Sequence, residues 1–365
     1  LEKMDFGTAF TPQLSIGGTH FWGHADFQIT FPLGGPTFRE TGREVQALPG
    51  VETIAKWYPW RIELGKVRPY LGTSLQSFYY RQKDDNQEFG TGPAKTWVLF
   101  PLKAGLTYNR GNHLFEIGAT WNYANQQDYF VDLNTTASIN LPPLYAALTY
   151  RYQLETTQSA EQGWESGKTQ TYTDKLAEAG KLNNFFVGIA PSSSWWNGSS
   201  SHNEVNHPAI EEYPTSIHLD FAAGYYFHKP DLNVNFNYRS MNASTRAYGT
   251  RQSLNRRSVG FEVTKLLFDY HGFVPYVGPT ISRERLTFTE SVEGSLTYDV
   301  TEDKWAGGIT FGWDIRPNRI QSWILRTNLR YYPNLKLDLP NGQDVSFGSV
   351  EFNFIQLVIF PERMF

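Results

Sequence analysis

The sequence predicts an all-β protein, a transmembrane antiparallel up-and-down β-barrel of about fourteen strands. Three observations predict it: apolar and polar residues alternate over long runs, these runs exceed the length of ordinary strands, and short and long connections alternate along the chain. The 365 residues include 31 Gly and 20 Pro, and 16% are aromatic, which suits many strands and turns. No apolar run approaches the roughly 18 residues that a membrane-spanning helix needs, so a helical membrane protein is excluded.

The alternation is clearest in the segment DLNVNFNYRS at residues 231–240. Leu232, Val234, Phe236 and Tyr238 occupy every second position, and three asparagines and an arginine lie between and after them. Successive side chains of a strand point to opposite faces, so one face of this strand is apolar and the other is polar. A half-buried strand of a soluble protein has the same pattern, so alternation alone does not say which face is inside.

Strand length separates the two cases. Ordinary strands average five or six residues, whereas most of the runs here have about ten or more, as a tilted strand needs to cross a bilayer. The predicted strands are 14–33, 51–63, 67–81, 96–109, 112–124, 141–155, 183–195, 215–228, 231–245, 253–269, 273–290, 296–315, 319–336 and 345–360. The lengths of the connections also favour a membrane barrel. Short and long connections alternate along the chain, and outer-membrane barrels have short turns on one side and longer loops on the other.

Aromatic clusters lie near the ends of these strands, as in KWYPW at residues 56–60 and SSWW at 193–196. Amphipathic rings prefer a membrane–water interface. The clusters alone would fit the core of a soluble β protein equally well. Together with strand length and connection parity, they predict that the apolar faces point to lipid and the polar faces line the lumen. A closed barrel leaves no unpaired strand edge in lipid.

The chain ends with VEFNFIQLVIFPERMF, an alternating aromatic strand followed by a terminal phenylalanine. This ending is similar to the C-terminal signal of barrels that are folded by the outer-membrane assembly machinery. The matching residues are Phe352, Phe354, Phe360 and Phe365, and because Pro361 interrupts the alternation, either Phe360 or Phe365 fills the terminal place.

On this pattern the sequence resembles a Gram-negative, porin-like outer-membrane β-barrel. The resemblance implies that the protein lies in the bacterial cell outer membrane. It also implies three partners: outer-membrane lipid, lipopolysaccharide and the barrel assembly machinery.

The predicted lumen face carries charges of both signs. Its charged residues are Lys103, Glu116, Arg151, Asp220, Arg239, Glu262, Arg326, Arg330 and Glu351. We therefore favour a passive channel for small hydrophilic solutes. The alternative is a non-conducting structural barrel subunit of an outer-membrane multiprotein complex for secretion, assembly or uptake. Side chains can fill an eight-stranded barrel, whereas sixteen or more strands leave an aqueous channel, and fourteen lies between.

Neither catalysis nor a cofactor is expected. His218 and Asp220 share the inward face and could pair as base and orienter, but no local motif supplies a serine nucleophile, so we predict no enzyme and no catalytic residue. The segment SHNEVNH offers His202, Glu204 and His207 as metal ligands. It shows no supporting outer-shell residues, so chance spacing is favoured and no metal is expected. The net charge of −4, with mixed signs and no basic stripe, excludes a nucleic-acid partner.

No long Ser/Gly linker, charge block or low-complexity tract divides the chain, so residues 1–365 are expected to form a single barrel domain. One connection breaks the alternation of short and long connections: the link between the sixth and seventh strands, at about 156–182, is long and polar where a short turn is expected. Within it, DKLAEAGKL predicts a short helix with Asp174 as N-cap and Gly180 at its end. This link could plug the lumen or dock a periplasmic or outer-membrane protein; a disordered insertion or a miscounted strand remain alternatives.

Overall fold

The computed structural model describes residues 8–20, 23–40, 42–61, 65–88, 92–153, 168–269, 273–315 and 322–364. The strands are β1 (Gln13–His20), β2 (Ala25–Pro32), β3 (Thr37–Glu40), β4 (Arg43–Trp57), β5 (Val67–Asp84), β6 (Ala94–Leu99), β7 (Leu102–Arg110), β8 (His113–Trp121), β9 (Gln126–Phe130), β10 (Thr136–Asn140), β11 (Leu144–Tyr152), β12 (Asn184–Trp196), β13 (Ser216–Phe227), β14 (Leu232–Ala247), β15 (Thr250–Leu266), β16 (Phe273–Val292), β17 (Ser295–Ile315), β18 (Trp323–Tyr332), β19 (Lys336–Asp338), β20 (Asp344–Ser346) and β21 (Ser349–Ile359). The helices are α1 (Lys168–Glu178) and α2 (Ser201–Asn206), and a 3-10 turn covers Pro361–Arg363. No helix in these ranges is long and apolar enough to cross a membrane.

The second half of the chain forms a closed barrel in which β12, β13, β14, β15, β16, β17, β18 and β21 pair in that order. β12 pairs antiparallel with β21 and so closes the ring. Two of its hairpins turn through only two residues, Tyr248–Gly249 and Glu293–Gly294, and all four residues have positive φ. Such turns match the right-handed twist of the strands that they join.

The first half forms a nine-stranded antiparallel sheet with the order β1-β2-β4-β5-β7-β8-β11; β3 pairs with β4, and β6 pairs with β5. The sheet curls so strongly that Arg151 on β11 forms an ion pair with Asp26 on β2. Its concave face is therefore enclosed, and it buries polar side chains.

The predicted fold class is confirmed, because the chain is all-β and antiparallel and contains a closed up-and-down barrel. The strand count was wrong: the closed ring holds eight strands, not about fourteen. Alternation identifies a strand but not its neighbours, and β12 pairs with β21 instead of β11. The long predicted connection lies between the two sheets, from Tyr152 to Asn184, and its residues 154–167 lie outside the described ranges.

Helix α1 lies in this connection and begins earlier than predicted, so Asp174 lies inside the helix and is not its N-cap. Gly180 does terminate it. Gly180 has φ +69°, and the N–H of Lys181 donates to the carbonyl of Leu176 at 2.7 Å. This is the hydrogen bond of a glycine-terminated helix.

The two sheets are in contact. Ile29 and Val51 of the first sheet pack with Trp195 and Phe352 on the outer wall of the barrel. Nearer the loops, the hydroxyl of Thr96 donates to the carboxylate of Glu211 at 2.6 Å. The first sheet therefore covers the part of the barrel wall formed by β12 and β21.

Candidate functional site: the filled lumen and its capped end

The outer wall of the barrel changes polarity along each long strand. On β14, Leu232 to Tyr238 place apolar side chains outward, whereas Ser240, Asn242 and Ser244 at the same parity are polar. The exposed apolar side chains on this wall include Ile217, Leu219, Phe221, Phe236, Tyr238, Val259, Val277, Ile281, Trp305, Ile309 and Phe311. Phe236 is 60% exposed and Trp305 is 68% exposed. They form an apolar band on the outward faces of β13 to β17, larger than the isolated apolar patches of water-soluble proteins.

Inside this band lies a network of buried ion pairs. Of the nine charged residues predicted to line the lumen, six are here, each at most 3% exposed: Asp220, Arg239, Glu262, Arg326, Arg330 and Glu351. Arg330 forms ion pairs with both Asp220 and Glu262. Arg326 binds Asp314 with two hydrogen bonds, of 2.7 Å from Nε and 3.1 Å from Nη2.

A second part of the network is built around Arg256. Its Nε and Nη2 donate to the two carboxylate oxygens of Glu284, both at 2.8 Å, and its Nη1 lies 2.9 Å from Glu351 Oε1. Arg239 forms an ion pair with the same Glu351. Sequence analysis missed Arg256, Glu284 and Asp314. The alternation along β15 could have identified Arg256, because Arg256 and Glu262 lie on the same face of that strand.

The other three predicted lumen residues lie in the first sheet. Glu116 binds Lys56 at 2.6 Å and Arg151 at 3.1 Å, and Lys103 binds Glu52 at 2.8 Å. The predicted set is therefore divided between two interiors. Alternation gave the inward direction of each side chain but not the sheet to which it belongs.

We call the end of the barrel with the β14–β15 and β16–β17 turns its upper end. Apolar side chains pack across this end. The hairpin β19–β20, in the connection between β18 and β21, inserts Leu337 and Val345 against Leu254, Leu286 and Phe288 of the barrel wall, and all five side chains are fully buried. This segment is a plug that the described residues show. Sequence analysis missed it, because its short alternating run merged with the predicted strands 319–336 and 345–360. Residues 156–167 of the long connection lie outside the described ranges, so a plug formed by that connection stays a prediction.

His218 and Asp220 do not form a catalytic pair. The Asp220 carboxylate accepts hydrogen bonds from Arg330 and Asn353. Neither ring nitrogen of His218 has a hydrogen-bond partner within the described chain. Both side chains belong to the packed lumen.

The predicted C-terminal signal residues lie in two environments. Phe352 packs against Trp195 on the outer wall, with ring centroids 6.0 Å apart, whereas Phe360 packs against Phe186 at the lower end of the interior, at 5.8 Å. The side chain of Phe354 and all of Phe365 lie outside the described residues, and the signal role of these residues stays a prediction.

The loop between β12 and β13 brings His202 and His207 together with Glu290 of β16, while Glu204 is exposed to solvent. Burial acts to lower the pKa of His202, but hydrogen bonds to Glu290 and Gln343 outweigh it and raise that pKa. Burial conversely acts to raise the pKa of Glu290, but hydrogen bonds from His202, His207 and Gln252 hold it well below its usual value. Burial and hydrogen bonding thus act in opposite directions on both groups.

Comparison with known proteins gave only distant likenesses. No protein-family model matches the chain, and no curated protein matches it. Among solved structures, Neisserial surface protein A (NspA) is similar over 49% of this chain and 97% of its own, with 17% identity and a TM-score of 0.33. The attachment invasion locus protein Ail of Yersinia pestis is similar over 49% of this chain and 96% of its own, with 10% identity and a TM-score of 0.30. These identities and TM-scores are too low to support a function for this chain. The barrel is identified from the hydrogen bonding between its own strands.

Proposed function

We propose that the chain spans the bacterial outer membrane as a β-barrel and serves as a non-conducting structural subunit of an outer-membrane complex. The observation that carries this proposal is the lumen of the closed ring. Arg330 on β18 forms ion pairs with Glu262 on β15 and Asp220 on β13. In the ring, each of these strands is three places from β18, so the pairs link opposite walls.

A barrel of eight strands is just wide enough for its interior to be filled by side chains. Here the filling consists of charged groups paired with each other, and above them lies the apolar hairpin. A passive channel for small hydrophilic solutes would need a continuous aqueous path through both layers. The packing therefore favours the structural role.

The apolar band fits a bilayer. On β17 the outward residues are apolar or glycine from Trp305 to Ile315. Ten steps of about 3.4 Å, tilted by about 45°, give a height of about 24 Å, close to the apolar band of outer-membrane barrels. The outward residue beyond Trp305 is Asp303, which marks the upper edge of the band.

Basic residues at this edge suggest lipopolysaccharide as the lipid partner. Arg257 on β15 and Arg285 on β16 are exposed and directly opposite each other in the strand register. No ion pair of either side chain exists among the described residues. Like charges in opposed positions destabilise a sheet. The anionic phosphates of lipopolysaccharide would add to the compensation that Asp303, opposite Arg285 on β17, offers.

Protein partners belong to the same proposal. The barrel assembly machinery would recognise the aromatic C-terminal strand. A periplasmic or outer-membrane protein would dock on the connection at 156–182, which the closed ring does not need for its own hydrogen bonding.

Conductance of the purified, folded chain in planar bilayers tests the proposal. We expect no single-channel steps, while heat-modifiable migration on gels shows that the barrel is folded. A variant in which residues 335–347 are replaced by a short turn should also be silent, because the ion pairs below remain. Steady conductance by the folded wild-type chain would contradict the proposal. Replacing residues 158–180 by a Gly/Ser linker of the same length should remove co-purifying partners and leave the barrel folded.

A further inference from the structure

The end of the barrel that holds the hairpin carries a cluster of two histidines and a glutamate that the structural role does not use. Helix α2 lies in the connection between β12 and β13. His202 in this helix and His207 just beyond it meet Glu290 on β16, and the ligand atoms of the three residues lie within 4.8 Å of one another. His202 and Glu290 are each 1% exposed.

The hydrogen bonds around the Glu290 carboxylate are unevenly distributed. Its Oε2 lies 2.8 Å from His202 Nε2 and 3.1 Å from His207 Nε2, and it also accepts a hydrogen bond of 2.8 Å from Gln252 Nε2. Its Oε1 is buried and has no partner among the described residues. Each carboxylate oxygen can accept about two hydrogen bonds. The carboxylate therefore has unused capacity to bind a cation.

The orientation of the His202 ring supports metal binding. Its Nδ1 lies 3.1 Å from Gln343 Oε1, which also accepts hydrogen bonds from Asn206 and Asn341. With a metal ion on Nε2, the remaining ring proton lies on Nδ1, where the Gln343 oxygen can accept it. Metal-binding histidines are usually held by an outer partner of this kind on the second ring nitrogen.

We propose that His202, His207 and Glu290 form a Zn²⁺ site. Two imidazoles and one carboxylate are a known zinc donor set that leaves a fourth position for water. Bonds of about 2.0–2.2 Å at tetrahedral angles place ligand atoms about 3.3 Å apart. The separations of 2.8 and 3.1 Å thus need to widen by a few tenths of an ångström. The two ring nitrogens, which lie within 4.8 Å of each other, need to reach the same distance. The ion would fasten the β12–β13 connection to β16 and hold α2 over the sealed end of the barrel.

Zn²⁺ alone is the probe that tests the site. The full chain, purified without a histidine tag and freed of metal with a chelator, is titrated by calorimetry in detergent. We expect one Zn²⁺ per chain. His207→Ala and Glu290→Gln should each weaken binding more than 100-fold, and Gln343→Leu about 10–100-fold, as for outer partners of metal ligands.

Two matched variants serve as controls. His113→Ala removes an exposed imidazole from the first sheet, and Glu204→Gln removes the exposed carboxylate nearest to the site in sequence; both should bind Zn²⁺ as the wild type does. Heat-modifiable migration shows which variants fold, and His207→Gln replaces any alanine variant that does not. Co²⁺ in the same site should give the intense visible absorption of tetrahedral coordination.

The proposal is overturned if the folded wild-type chain binds no Zn²⁺ at a ratio of one. It is also overturned if Glu290→Gln and His207→Ala bind Zn²⁺ as tightly as the two controls. In either case the two histidines would be hydrogen-bond donors to Glu290 and nothing more.

Discussion

Replacing Arg256 by methionine should destabilise the barrel by about 3–5 kcal/mol, the usual cost of leaving one partner of a buried ion pair unpaired. Arg256 is fully buried and supplies both charge-assisted hydrogen bonds to the oxygens of Glu284. Without it, Glu351 keeps Arg239, but Glu284 keeps only hydroxyl donors, from Ser258 and Ser282. The expected cost is therefore mainly that of the uncompensated Glu284 carboxylate.

The double variant Arg256→Met/Glu284→Leu should recover most of this loss, since a buried ion pair replaced by apolar groups of similar size is often neutral or stabilising. Arg257→Met is the matched control. Its side chain points outward from the same strand into an exposed position, so its effect should stay within about 0.5 kcal/mol.

The assay is urea unfolding of the chain in phospholipid vesicles, followed by tryptophan fluorescence. A cost below about 1 kcal/mol for Arg256→Met, the level of solvent-exposed pairs, would refute the reasoning. A double variant that costs the sum of the two single variants would refute it too. Either result would mean that water reaches Glu284, and the lumen would then be open enough to make the passive channel the better function.

Two other predictions concern the membrane. Phe236→Arg should destabilise the inserted barrel by about 2–4 kcal/mol, because an arginine at this position would face lipid in the middle of the membrane. Ser244→Arg, outward on the same strand but above the apolar band, should cost little in the same urea assay. Equal costs would show that the band is not in lipid. The chain has no cysteine, so Ser295→Cys should react with a membrane-impermeant thiol reagent on intact cells, and Lys229→Cys should react only after permeabilisation. The opposite labelling pattern would mean that the barrel is inserted the other way round.

Sequence analysis could predict the barrel strands because an alternating run is a local property. The predicted strands 231–245 and 273–290 correspond to Leu232–Ala247 and Phe273–Val292. The predicted strand 14–33 is instead a hairpin of β1 and β2. Alternation continues past its turn, and the turn signal that could have divided it is Gly23, with φ +98°. Which strands close the ring depends on pairs far apart in the chain, and alternation carries no information about these.

The same limit applies to the candidate sites. The alternation along each strand correctly predicted that Arg330, Asp220 and Glu262 point inward. It could not predict that they meet in one cluster, because that depends on the number of strands in the ring and hence on its diameter. The spacing of His202 and His207 was visible in the sequence, yet Glu204 was the nearest acid and the wrong one. The third residue, Glu290, comes from another strand, and only the folded barrel brings it to the two histidines.

The polarity of β14 gives a reason why the lumen charges are paired. Below Arg239 its outward side chains are apolar and its inward ones are asparagines; above it, the outward side chains are polar and Met241 and Ala243 point inward. Both faces change at the same level, so the strand passes through two surroundings: lipid outside a polar interior, then water outside an apolar interior. A barrel standing wholly in water would keep one polarity along its length. Within the lipid-covered part, water is excluded from the outside and side chains fill the inside, so a charge placed there is compensated mainly by other charges. The ion pairs around Arg330 are therefore what makes a polar interior stable at that depth. Those around Arg256 lie at its upper edge, and in the proposed function both groups of ion pairs close the lumen to solutes.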